Sequence, residues 1–116
     1  MVRGEIYLVE LAPRSGAEQR GRRPCILVSH DAFTSNPSWM SVSVVPLTSS
    51  ERWRQRSLTT VVFQAGECGL SKACAALAHQ VTTIDRSKLL LPAVGRLTPA
   101  KEAELAEALR NYLDLT

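Results

Sequence analysis

The alternation of apolar and polar positions divides the chain into short segments. Residues 5–11 (EIYLVEL) are almost continuously apolar and rich in β-favouring side chains, which predicts a strand. Residues 24–29 (PCILVS) predict a second strand, buried on both faces, with proline at a tolerated first position. Residues 42–47 (VSVVPL) predict a third; Pro46 removes a ladder donor, so this strand is expected at an edge or a bulge. Residues 59–63 predict a fourth and residues 93–97 a last short one. Residues 73–84 are ambiguous: alanine favours helix, Val81-Thr82-Thr83-Ile84 favours strand, and we assign strand. The segments 12–23, 48–56 and 66–72 are polar and read as loops or turns, and 31–39 and 85–90 as short helical turns. Only the C-terminal segment shows a clear helical period. Thr98 is suited to the N-cap and Pro99 to the first helical position, Leu105, Leu109, Tyr112 and Leu113 share one face, and Glu102 and Glu104 suit the positive end of the helix dipole. Five or six short strands and a terminal helix predict a mainly β fold with appended helices, a small antiparallel barrel or strongly bent sheet.

Length limits the function classes. With 116 residues the chain reads as one domain, residues 1–116. It is too short for a Rossmann dehydrogenase, a kinase or a TIM barrel. A hydrophobic share of 45% and a charged share of 22% exclude a disordered, collagenous or coiled-coil chain. The start, Met1-Val2-Arg3-Gly4-Glu5, has no signal-peptide core, and no apolar run approaches a membrane span, so a soluble cytoplasmic protein is expected. Three cysteines without a CxxC pair do not suggest a disulfide scaffold, and Cys25 reads as a small buried hydrophobe. Cys68, Cys74 and His79 match no common zinc spacing, and no metal or other cofactor is expected.

Charge adds a direction. The net charge is +3, and all of the excess lies in residues 1–60, which hold eight arginines against five acids; residues 61–116 balance six bases with six acids. Arginine forks match phosphate geometry, so an anionic partner is expected. Two polar loops concentrate the unusual residues. In the first, Glu18 stands among Arg14, Arg20, Arg22 and Arg23. A carboxylate in such a field is held ionised, and it can serve as a base, orient an arginine or simply balance a hairpin loop. In the second, Thr48 and Ser49 end a buried strand, where a hydroxyl can donate to phosphate oxygen or complete a turn. Arg52, Arg54 and Arg56 then alternate around Trp53; in an extended backbone they would line one side, and otherwise they form a solvated loop. No triad, P-loop, GxGxxG or HExxH pattern is present.

These residues, taken in order, resemble a known family. The resemblance is carried by Arg3-Gly4-Glu5-Ile6-Tyr7, Gly16-Ala17-Glu18-Gln19, Gly21-Arg22-Arg23-Pro24, Val45-Pro46-Leu47-Thr48-Ser49, Ala78-His79-Gln80-Val81 and Thr83-Ile84-Asp85. The chain is similar over nearly its whole length to MazF/PemK-type toxins of bacterial type II toxin–antitoxin systems. The resemblance implies an SH3-like barrel, a homodimer and a metal-independent endoribonuclease that cuts single-stranded RNA. It implies attack of the ribose 2′-OH on the adjacent phosphate, leaving a 2′,3′-cyclic phosphate and a 5′-OH. It places catalysis on Arg23, Thr48 and Glu18. Gln19 and Gln80 match positions along the RNA groove, and Arg20, Arg22, Ser49, Arg52, Arg54, Arg56 and His79 are the further candidate RNA contacts. Arginine is not deprotonated in proteins, so Glu18 is the better base and Arg23 the electrostatic clamp or proton donor. A cognate MazE-like antitoxin with an acidic tail is the expected partner.

The chain departs from the family where many relatives carry an acid and it has His79. An arginine/aspartate pair used by some relatives falls here on Leu77 and His79. Two rival readings share the fold: a gyrase poison of the CcdB kind, whose Trp-Gly-Ile end is replaced here by Asp114-Leu115-Thr116, and a non-catalytic RNA-binding barrel.

Overall fold

The computed structural model describes residues 1–11 and 21–116. Seven strands form one antiparallel sheet: β1 (Glu5–Leu11), β2 (Gly21–Leu27), β3 (Ser41–Thr48), β4 (Thr60–Phe63), β5 (Cys74–Leu77), β6 (Thr82–Asp85) and β7 (Leu89–Arg96). Their order is β4-β5-β3-β2-β1-β7, with β6 also on β3. The two ends do not pair, so the sheet is bent but not closed into a barrel. Helix α1 (Asp31–Thr34) is a single turn and α2 (Pro99–Leu113) closes the chain.

The near-continuous apolar strands have a physical reason. Successive side chains point to opposite faces, and both faces are covered. Ile6, Ile26, Val45, Leu47 and Phe63 pack under α2 with Leu105 and Ala108. Their sequence neighbours Tyr7, Leu27 and Val44 pack in a second cluster with Val9, Val42 and Ile84. Cys25 is fully buried in the second cluster, and burial pushes its thiol up to about 12. Helix α2 starts as its sequence requires, with the Thr98 hydroxyl accepting from the Lys101 N–H at 3.2 Å. Lys101 then fastens the helix to β4 by donating to the Val62 carbonyl at 2.7 Å.

Several expectations need correction. Pro46 is not at an edge, because β3 is the central strand. It stands opposite Cys25, between Val44, which pairs with β6, and Leu47, which pairs with β5. The strand changes partner where proline offers no donor. Residues 21–23 belong to β2 and not to a loop, since the ladder runs on from Ile6↔Ile26 to Leu11↔Gly21 through exposed side chains. Residues 73–84 are two strands broken by a 3-10 turn at Ala78–Gln80. The last strand begins at Leu89, which makes seven strands in place of five or six. On α2 the buried residues are Leu105 and Ala108, with Leu109 packed beside them, whereas Tyr112 and Leu113 are each 48% exposed.

Candidate active site

The alternation of β2 separates two adjacent arginines. Arg22 stands opposite Glu10, and its Nε lies 3.5 Å from the Glu10 carboxylate on the exposed surface. Arg23 stands opposite Val9 and, with its neighbour Pro24, lines an open cleft of about 380 Å³. Thr48 and Ser49, at the end of β3, line the same cleft. Thr48 is buried, and its Oγ1 accepts the Ser50 N–H at 3.2 Å. That bond uses a lone pair and leaves the hydroxyl proton to be donated. Arg23, Thr48 and Ser49 thus line one cleft from two strands.

Ser71 and Lys72, in a polar turn that carries no motif, also line the cleft. Two glycines bring them there. Gly69, at φ +82°, lies so close to β7 that a Cβ would sit 2.6 Å from the Val94 carbonyl oxygen. A Cβ on Gly95 would collide with the Cys68 carbonyl oxygen. Backbone therefore packs on backbone, and the turn is laid against β7 with Lys72 lining the cleft. The available signal was the pair of glycines, which only a known pairing turns into a contact. Cys74 also lines the cleft; burial, then the neighbouring Cys68, push its thiol up to about 11.

The remaining predicted residues lie elsewhere. The 52–56 segment is not extended, because a 3-10 turn at Glu51–Trp53 breaks it, so no stripe of three cations forms. Arg54 pairs with Glu51 at 3.2 Å, and Arg56 lines a separate groove with Glu104 and Glu107. Arg52 lies over the Trp53 ring, 5.2 Å from its centroid. His79 packs its ring on Trp53 at 5.0 Å, and half-buried Gln80 follows it. Glu18, Gln19 and Arg20 lie outside the described residues. Among the described residues, no group of three His, Cys, Asp or Glu side chains is placed to hold a metal, and no helix is long and apolar enough to cross a membrane.

An open antiparallel sheet with an arginine, a lysine and a buried threonine lining one cleft defines a small β protein with a candidate site for an anion. Comparison with known proteins makes the class particular. Residues 2–113 match the family described as PemK-like, MazF-like toxin of type II toxin–antitoxin system, and the chain belongs to that family. It is 36% identical to a protein named endoribonuclease MazF9 from Mycobacterium tuberculosis, over 99% of this chain and 98% of that one. It is 32% identical to an endoribonuclease MazF from Staphylococcus saprophyticus, covering 100% of this chain and 90% of that one. The fold is that of a mycobacterial endoribonuclease solved in complex with its cognate antitoxin, at a TM-score of 0.78 and 24% identity over 100% of this chain and 97% of that one. It also matches MazF from Deinococcus radiodurans, at a TM-score of 0.77 and 22% identity over 98% and 96% of the two chains.

Proposed function

We propose that this chain is an endoribonuclease toxin that cuts single-stranded RNA in the cytoplasm, without a metal, as a homodimer neutralised by a cognate MazE-like antitoxin. The observation that carries the reading is the convergence of Arg23 and Thr48 on one cleft. The names of the relatives support the activity, and the antitoxin bound to the mycobacterial neighbour supports the partner.

The chemistry follows from where charge develops. The 2′-OH attacks the adjacent phosphorus, the bond from phosphorus to the 5′-oxygen breaks, and that oxygen takes a proton from water, so a 2′,3′-cyclic phosphate and a 5′-OH remain. Negative charge builds on the non-bridging oxygens during attack. Arg23 meets it with a bidentate fork, Thr48 adds a donated hydroxyl hydrogen bond, and Lys72 adds a point charge. Glu18 takes the 2′-OH proton, since neither arginine nor a protonated lysine can accept one. RNA supplies the nucleophile, which is why one small domain suffices.

The test incubates the purified protein with long RNA in EDTA and reads the fragment ends. Discrete fragments with 5′-OH ends, lost in Arg23→Ala, are expected. Intact RNA accompanied by gyrase inhibition, or a mobility shift without cutting, would overturn the reading. Glu18→Gln with near-full cleavage would remove the base from Glu18.

A further inference from the structure

Three aromatic rings from three separate elements meet at the surface. Trp53 comes from the 3-10 turn after β3, His79 from the turn after β5, and Tyr112 from the last turn of α2. The Trp53 and His79 centroids are 5.0 Å apart at 38°, and His79 meets Tyr112 at 6.3 Å and 65°. Trp53 and His79 are only partly buried and Tyr112 is 48% exposed, so the rings are accessible to a ligand. The Arg52 guanidinium lies over Trp53 at 5.2 Å.

We propose that Trp53, His79 and Tyr112 form a stacking platform for a nucleobase of single-stranded RNA, with the Arg52 guanidinium over Trp53 serving the adjoining phosphate. The inference rests on the ribonuclease reading and adds a base-binding subsite to it. Aromatic faces and guanidinium planes are what single-stranded nucleic acids stack on, because every base presents a π-face. The position suits the same strand of RNA. Trp53 follows Thr48 on the same connection. Ala75 stands opposite Thr48, and His79 is four residues further on, roughly 13 Å from Ala75 at most at the strand rise. The other exposed aromatic pair, Phe33 and Trp39, is differently equipped. The Arg86 guanidinium near it donates to the carbonyls of Thr34, Asn36 and Trp39. Among the described residues, only the Trp53 cluster joins accessible rings to a guanidinium turned onto a ring face.

The test uses Trp53→Ala and Tyr112→Ala with their phenylalanine counterparts, in the full chain, on long RNA. A Trp39→Phe background makes Trp53 the one fluorescent tryptophan. The alanine variants should raise KM roughly ten- to hundredfold, the usual effect of losing one stacked base, with kcat within about twofold. The phenylalanine variants should keep most of the wild-type KM. A pool of 2′-O-methyl RNA should quench Trp53, and an abasic oligonucleotide of equal length and charge should not. Wild-type KM in both alanine variants, or equal quenching by the abasic strand, would overturn the platform. So would loss of the dimer on size exclusion, which would make the cluster an interface between copies. If wild type and Arg23→Ala alike leave RNA uncut, the ribonuclease reading fails, while base-dependent quenching still reports the platform.

Discussion

Replacing Gly95 with alanine tests how the cleft is assembled. The new Cβ would overlap the Cys68 carbonyl oxygen, lie 3.0 Å from its carbon and 3.4 Å from Gly69 Cα. Every one of those atoms is backbone, so no side-chain rotation relieves the contact. The 67–72 turn must lift off β7, and Ser71 and Lys72 move with it. Overpacking of this kind costs about 1–3 kcal/mol, and a backbone–backbone clash belongs in the upper half of that range. At about 4 °C per kcal/mol for a chain of this length, Tm should fall by roughly 8–12 °C. Gly69→Ala should cost at least as much. It adds a left-handed φ of +82°, worth about 1–2 kcal/mol for a residue with a Cβ, to a contact of 2.6 Å with the Val94 oxygen. The double variant should cost less than the sum, since both substitutions open the same contact. Circular-dichroism melts give the stability, and RNA cleavage well below both melting points separates a displaced Lys72 from unfolding. Unaltered Tm and unaltered KM in Gly95→Ala would refute the packing of the turn on β7.

The other predictions concern the cleft and the buried thiols. Arg23→Ala should lower cleavage about 10²–10³-fold, and Arg23→Lys should not restore it, because a point charge cannot replace the bidentate fork. Tm should hardly move, as Arg23 is exposed and forms no ion pair among the described residues. Thr48→Val should cost a similar factor in kcat and only about 1 kcal/mol of stability in urea melts, from the lost bond to the Ser50 N–H. Lys72→Ala should weaken RNA binding for all sequences alike and reduce the log–log salt slope by about 1. Stability should fall as pH rises above 9. There the unfolded chain sheds thiol protons that the folded chain retains until about 11 at Cys74 and about 12 at Cys25. Below pH 9 that contribution is complete, and Cys25→Ala should show a shallower loss of the urea midpoint between pH 8 and 10.5.

The parts of this fold that showed in the sequence are those where side-chain pattern and backbone pairing agree. β1, the apolar half of β2, the apolar part of β3, β4 and the capped α2 are of this kind. Expectation failed where the two diverge. Residues 21–23 extend β2 with exposed, polar side chains, because the pairing of Gly21 with Leu11 is a backbone matter. Pro46 looked like an edge residue, yet a strand that changes partners can hold a proline at the change. Tyr112 and Leu113 share a helical face with Leu105, but Leu113 borders an open groove with Ser43 and Thr83, and both stay about half exposed. Within the site, Arg23 and Thr48 were legible through their motifs. Lys72 was not, since its place depends on two glycines 26 positions apart in the chain.

Charge shows why a count of residues could not define the site. The surplus of arginine in residues 1–60 pointed to an anionic partner. Folding disperses it: Arg22 goes to Glu10, Arg54 to Glu51, and Arg56 to the groove holding Glu104 and Glu107. The exposed Glu10–Arg22 pair is worth about 0–1 kcal/mol, so its effect on stability is small. Its effect on the field is larger, because it removes one of two adjacent cations and leaves Arg23 alone to face the cleft from β2. The second cation there, Lys72, comes from the electrically balanced half of the chain. Strand register therefore does what composition cannot. A slip of one residue in β2 would exchange Arg22 for Arg23 and give the cleft a different arginine. Ile26 and Leu27 are close in size and pack in different clusters, so apolar burial alone resists that slip only weakly. The β1–β2 ladder, held from Ile6↔Ile26 to Leu11↔Gly21, sets which of the two arginines reaches the cleft.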